Sequence, residues 1–271
     1  MKKEIKSKPL ILVSNDDGVY AKGLQSLIEI VSEYGEIVVV APEKGESGMS
    51  HAITINNPLR IKTIKESDSL KIYSSNGTPV DCIKLGLNQI LNRKPDFLIS
   101  GINHGSNASI SVIYSGTMGA AIEGCFNEIP SVGLSLLNHR LDADFTMAKF
   151  YSKQILDNFI KNQTPIGTCL NVNFPDIPIN EVKGIKVCRM ARGVWKEEYD
   201  KRIDPHNSEY YWLTGNFKNY EPEATDTDEW ALGNNYIAIV PIHTDLTAYK
   251  SINNFKNWKY NTTMFVKQKK G

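Results

Sequence analysis

The chain has 271 residues, 41% of them hydrophobic, which is enough for one large domain with a substantial core and no need of covalent staples. Lys and Arg number 31 against 30 Asp and Glu, a formal net charge of +1, so no global field recruits a nucleic-acid duplex or an anionic membrane, and any attraction for anions must be local. The 4 cysteines, Cys82, Cys125, Cys169 and Cys188, show no Cys-x-x-Cys spacing, no apolar run reaches membrane-spanning length, and Met1 to Lys6 lacks the apolar core of a signal peptide, so a soluble, unprocessed, cytoplasmic protein with free thiols is expected.

In chain order, Pro9 to Asn15 is a continuous apolar run that suits a strand buried on both faces of a parallel sheet. It leads into Asp16-Asp17-Gly18 and a helix opening near Ala21, in which Leu24, Leu27, Ile28 and Val31 recur at helical spacing up to Tyr34. Glu36 to Ala41 is the next buried strand, and residues 42–50 form a loop carrying Ser47. Short strand candidates at 51–55, 59–64 and 70–75 read as a meander appended to the sheet. Thr78 as N-cap, Pro79 in the first turn and Asp81 three residues past the cap open a helix running to about Leu91.

Phe97 to Ser100 is a third core strand, followed by a long loop from Gly101 to Ser115 that holds Asn103 and Asn107. Thr117 to Phe126 is a helix of small residues, Ser131 to Leu136 a strand, Asp144 to Lys161 a helix and Thr168 to Asn173 a strand. This alternation predicts an α/β fold with a Rossmann-like, doubly wound, mainly parallel sheet, residues 1–271 forming a single domain. Between about 190 and 230, Trp195, Tyr199, Tyr210, Tyr211, Trp212, Phe217 and Tyr220 are interleaved with charges, and the helical period vanishes. That pattern suits a C-terminal oligomerisation arm making subunit contacts. Tyr236 to Pro241 returns to a strand, and a last helical turn begins between Leu246 and Tyr249. Basic clusters at Lys2, Lys3, Lys6, Lys8 and Lys267 to Lys270 read as solvated tails.

Adjacent carboxylates at the end of a buried strand sit where open α/β sheets do their chemistry, and packing does not account for them, because a buried like-charge pair needs a compensating cation or donors. The plain alternative is an exposed Asp-Asp-Gly helix entry. Asp16, Asp17, Ser47 and an amide carbonyl from Asn103 or Asn107 together offer only oxygen ligands, which suits Mg²⁺, Mn²⁺ or Ca²⁺ and suits zinc or copper poorly. No His pair has zinc spacing, and His51 and His104 read as satisfied polar residues rather than ligands. Ser115-Gly116-Thr117 opens a nearly bulk-free helix and forms a ready anion site, the alternative being that Thr117 only caps the helix. A divalent ion beside an anion cradle implies phosphoryl chemistry. Both the Gly-x-Gly-x-x-Gly fingerprint and the Walker lysine motif are missing, which argues against a dehydrogenase and an ordinary nucleoside triphosphatase.

These residues, Ser14 to Gly18, the Ala41-Pro42 to Gly48 loop, Gly77 to Cys82, Ser100 to Asn107 and Tyr114 to Thr117, resemble the stationary-phase survival protein SurE family, and the likeness continues through Asn171 to Pro175 and Pro241 to Thr247. The resemblance implies a metal-dependent nucleoside monophosphate phosphatase with a Rossmann-like core and arms exchanged between subunits of a homodimer or homotetramer. It implies Asp16, Asp17, Ser47 and Asn103 as ligands of one divalent cation per subunit, Asn107 as a substrate-site amide, Ser115, Gly116 and Thr117 as the phosphate-binding turn, and His243 as a support of the C-terminal arm. Lys22 stands where the family often has proline, and 190–230 is poorly matched.

The expected chemistry is in-line attack of an ion-activated water on the phosphorus, with Asp16, Asp17 and Asn107 in the catalytic set and Asp17 the candidate proton acceptor. Direct carboxylate attack is not distinguished from this by the residues. A nucleotide-binding regulatory module without turnover is the alternative from another class. A sugar-nucleotide glycosyltransferase fits less well, because its acidic pair is usually Asp-x-Asp.

Overall fold

The opening run forms β1 (Leu10–Ser14), buried along its whole length, and beyond the Asp16-Asp17-Gly18 bend the chain enters α1 (Lys22–Val31), which turns Leu24, Leu27, Ile28 and Val31 inward. β2 (Glu36–Pro42) returns parallel to β1, with Leu10 opposite Glu36 and Val13 opposite Val39. The structure, a computed structural model, describes residues 8–259, so the clusters at Lys2, Lys3, Lys6 and Lys267 to Lys270 lie outside the described residues.

β3 (Ile61–Glu66) and β4 (Leu70–Ser75) form an antiparallel hairpin, and β4 joins the main sheet parallel to β2. The appended meander is therefore only this hairpin, and residues 51–55 are not a strand. Side chains have taken the backbone groups that a ladder would use: Thr54 N donates to the Asp81 carboxylate at 3.0 Å and Ala52 O accepts from Thr78 Oγ1 at 2.7 Å. Thr78 and Asp81 also form the expected capping box of α2 (Pro79–Leu85), which passes into a π-helical turn at Gly86–Ile90.

β5 (Phe97–His104) is longer than its apolar core suggests and carries Asn103 on the strand rather than in a loop. A short α3 (Ser111–Tyr114) precedes α4 (Gly116–Phe126), then come β6 (Ser131–Leu136), α5 (Thr146–Lys161), β7 (Thr168–Phe174) and β8 (Gly184–Val187). The aromatic segment forms β9 (Gly193–Ile203) and β10 (Glu209–Asn219), an antiparallel ribbon separate from the main sheet, in which Tyr199 is 62% and Leu213 63% exposed. α6 (Asp228–Gly233) and β11 (Tyr236–His243) bring the chain back, and the last helical turn comes later than expected, at Tyr249–Ser251 and α7 (Ile252–Lys256). His243 Nδ1 accepts from Asp245 N at 3.0 Å, holding the turn that leaves the sheet.

The 9-stranded sheet runs β3-β4-β2-β1-β5-β6-β7-β11-β8, parallel from β4 to β7, with β11 antiparallel to β7. α1 and α5 pack together on one face and α2 and α4 on the other, each over its own apolar cluster. The sheet is thus doubly wound and Rossmann-like. Winding proceeds outward from β1 in one direction and from β5 in the other, so the direction switches between β1 and β5, where such sheets open a crevice at their carboxyl ends. All 4 cysteines are free and buried, and no helix among the described residues is long and apolar enough to cross a membrane.

Candidate active site

Ser14 pairs with Ser100 across the switch point, so the acid pair after β1 and the end of β5 leave the sheet side by side. The Asp17 carboxylate accepts from His104 N at 3.0 Å, which fixes it one residue from Asn103. Asn103 is buried and its Nδ2 donates to Gly105 O at 2.8 Å. With the nitrogen committed, the carbonyl oxygen is the end of this amide available as a ligand.

Asp16 is 3% exposed and accepts a hydrogen bond from the Thr117 hydroxyl, so the first acid touches the Ser115-Gly116-Thr117 turn directly. Gly116 makes that contact possible, since a Cβ there would stand 2.8 Å from Asp16 Cβ and 3.1 Å from its Oδ2. The helix cap is Ser115, whose Oγ accepts from Met118 N at 3.0 Å. Thr117, weighed as a mere cap, instead serves the acid pair.

The 43–50 loop bridges the two halves of the site. Glu46 N donates to Asp16 O at 2.7 Å, while Ser50 bonds Tyr114 O through N at 3.0 Å and Ile113 O through Oγ at 2.6 Å. Ser47 lies exposed between these anchors, positioned by its loop. Asn107 is buried in an amide network: its N donates to Asn173 Oδ1, its Nδ2 to Ser135 Oγ, and its O accepts from Asn171 Nδ2, each at 2.8 Å. One Nδ2 hydrogen remains for another acceptor. Asn171, Asn173 and Ser135 escape a site reading of the sequence, although asparagines alternating with Leu170 and Val172 in a buried strand are their visible trace.

Burial and then the neighbouring Asp17 charge push the Asp16 carboxyl up from 3.8 to about 6, and burial pushes Asp17 to about 6 as well. No lysine or arginine contributes to either shift, so the described residues supply no countercharge to the pair. Among the described residues no group of three or more His, Cys, Asp or Glu could hold a metal ion. The donors that Asp16, Asp17, Asn103 and Ser47 offer are all oxygens, and an acid pair without countercharge among the described residues, with an amide carbonyl and a hydroxyl, fits a hard divalent cation.

Neither histidine competes for that role. His51 Nε2 bonds Glu123 at 2.9 Å, and the His104 ring donates from Nδ1 to Arg140 O at 2.9 Å. Glu123, buried on α4 and also bonded by Lys84 at 2.8 Å, holds the 50s segment against the helix that Ser115 caps. Asp228, fully buried, accepts from Ser109 N, Ala191 N and Glu229 N, each at 2.8 Å, and so ties the root of the β9–β10 ribbon to the segment carrying Asn107.

Residues 11–197 match the family model described as Survival protein SurE. A protein of Christiangramia forsetii named 5'-nucleotidase SurE is 52% identical over 258 residues, covering 94% of this chain and 99% of that relative. A protein of the same name from Caldanaerobacter subterraneus subsp. tengcongensis is 40% identical over 255 residues, covering 93% and 98%. Among solved structures, the crystal structure of SurE protein from Aquifex aeolicus superposes with a TM-score of 0.78 at 36% identity, covering 92% of this chain and 98% of that one.

Proposed function

Because the chain belongs to the SurE family, we propose that the crevice between β1 and β5 is where it hydrolyses nucleoside monophosphates to nucleoside and phosphate. The enzyme is a 5'-nucleotidase, a phosphomonoester hydrolase. The observation that carries the site assignment is the direct contact of Asp16 with Thr117, which joins an uncompensated acid pair to an anion-binding helix start.

In this reading Asp16, Asp17, Ser47 and Asn103 hold one divalent cation per subunit, Mg²⁺ or Mn²⁺. When bound, it polarises a phosphoryl oxygen and makes an attacking water more acidic. Ser115 and the first turn of α4 receive the phosphate, where the free backbone donors and the positive end of the helix favour negative charge. Gly116 admits the phosphate close to the backbone, and the remaining Asn107 N–H stabilises charge spreading over the equatorial oxygens. Asp17 takes the proton of the attacking water on the carboxylate oxygen that His104 N does not occupy.

The ribbon of β9 and β10 is the arm for subunit contacts in a homodimer or homotetramer, supported by the exposed Tyr210, Tyr211 and Trp212 of β10. Four buried free cysteines support a cytoplasmic location. No observation favours a regulatory module without turnover.

The test is phosphate release from adenosine monophosphate with Mn²⁺, repeated with Asp17→Asn and Ser115→Ala. Asp17→Asn is expected to abolish release and Ser115→Ala to raise KM. An active Asp17→Asn enzyme removes the ligand assignment, and a Ser115→Ala enzyme with unchanged kcat and KM reduces the turn to a helix cap.

A further inference from the structure

The root of the β9–β10 ribbon lies over the approach to the anion turn. Trp195 pairs across the ribbon with Phe217, their rings 5.8 Å apart and edge-on, and its indole N–H donates to Ser111 Oγ at 3.2 Å. Ser111 opens α3, whose last residue, Tyr114, immediately precedes Ser115. A groove of about 630 Å³ runs between ribbon and α3, walled by Tyr114, Trp195, Tyr199 and Leu213 and floored by Gly48 and Gly215. Among the described residues no charged side chain lines it.

Two of these lining residues adjoin the candidate site directly. Gly48 follows Ser47 and Tyr114 precedes Ser115, and consecutive Cα atoms are about 3.8 Å apart. The groove therefore begins where a bound phosphate ends. Its volume falls within the roughly 300–1,000 Å³ usual for small-molecule sites. Trp195 is 39% exposed although Ser111 and Phe217 hold it in place, so it presents a fixed aromatic surface to whatever enters.

We propose that this groove is the nucleobase subsite, in which the base of a nucleoside monophosphate stacks on Trp195 and Tyr114 while its phosphate occupies the Ser115–Thr117 turn. The inference rests on the phosphatase reading given above. A base held by its π-face is recognised as aromatic, since every base offers that face. Trp195 therefore serves purine and pyrimidine monophosphates alike.

The test compares hydrolysis of adenosine monophosphate with that of ribose 5-phosphate, which carries the same ester without a base, in the full-length enzyme with Mn²⁺. In Trp195→Ala the ratio of the two kcat/KM values is expected to fall roughly 10- to 100-fold, through KM, whereas Trp195→Phe keeps it within about threefold of the parent. Tyr114→Ala gives a smaller fall in the same direction. Cytidine and uridine monophosphates are expected to show the same loss in Trp195→Ala.

A separate binding measurement uses adenosine alone, without phosphate or metal: it is expected to quench indole emission in the parent, and Trp195→Phe to lose that quench. An unchanged ratio in Trp195→Ala with folding verified by circular dichroism overturns the proposal. An equal loss on both substrates also overturns it, because the groove is then covered by a second copy or merely supports the fold. Should the parent hydrolyse neither compound, the phosphatase reading fails, and adenosine quenching still decides the fate of the groove.

Discussion

The hydroxyl of Thr117 donates to the carboxylate of Asp16, a bond between two buried residues that lie at the carboxyl end of β1 and the amino end of α4. Replacing Thr117 with valine keeps the shape and removes the donor. The variant is expected to lose about 1–3 kcal/mol of stability at neutral pH in urea unfolding. Its Mn²⁺ affinity by calorimetric titration should fall roughly 10- to 100-fold, as for other supports of a metal ligand.

Asp17→Asn makes a pH-dependent prediction whose sign is fixed. The folded protein holds the Asp17 proton up to about 6, whereas the unfolded chain releases it near 3.8, so without cation the folded state binds more protons across that window. Stability from this group is full below 3.8 and declines as pH rises towards 6, by at most roughly 3 kcal/mol. Scanning calorimetry in chelator is expected to show Asp17→Asn gaining on the parent from pH 4 to pH 7. Addition of Mn²⁺ should then stabilise the parent and leave the variant unmoved.

Glu123 gives the opposite sign. Burial alone would raise its carboxyl, but the hydrogen bonds from His51 and Lys84 and the charge of Lys84 outweigh burial and hold it below its ordinary value. Its contribution is present above the unfolded pKa and is lost as pH falls through the folded one. Glu123→Gln is expected to lower stability by about 1–3 kcal/mol at pH 7. The difference in denaturation midpoint between the two proteins should shrink as the pH is taken below about 4.

Gly119→Ala tests the bridge between the acid pair and the Ser115–Thr117 turn. A Cβ at Gly119 would meet Ser50 O at 2.3 Å, a backbone atom that cannot rotate away. Ser50 anchors the Ser47 loop to Ile113 and Tyr114, so the loop must shift. Displacement of about 1 Å at a positioning element costs on the order of 100-fold in rate. Steady-state kinetics should show that loss in kcat/KM, and a variant with parental kinetics would mean that the loop does not position the site.

Much of this site is legible in the residues because its chemistry conflicts with packing. Asp16-Asp17 stands out after an apolar strand, and Ser115-Gly116-Thr117 stands out before a helix of small residues. Asn103 is harder to place, since local composition suggests a loop, and only pairing of Asn103 with Ser135 on β6 shows that the strand continues. Residues 51–55 alternate like a strand, yet Asp81 and Thr78 reach them from far along the chain and take their backbone groups.

The β9–β10 ribbon is illegible as strand because both its faces are largely exposed, and without a buried face the sequence has no reason to alternate. Glu123 gives no local sign either. Its partners His51 and Lys84 are distant in sequence, so its burial follows from tertiary structure alone.

Asp228 grips Ser109 and Ala191 with opposite oxygens of one carboxylate, so the foot of the ribbon and the stretch bearing Asn107 share a single rivet. A neighbouring molecule that grasped the ribbon would bear on the same carboxylate that steadies the Asn107 segment. The ribbon and the Asn107 segment are thereby mechanically linked through one buried anion, and a load applied at the rim of the molecule is carried inward to the sheet.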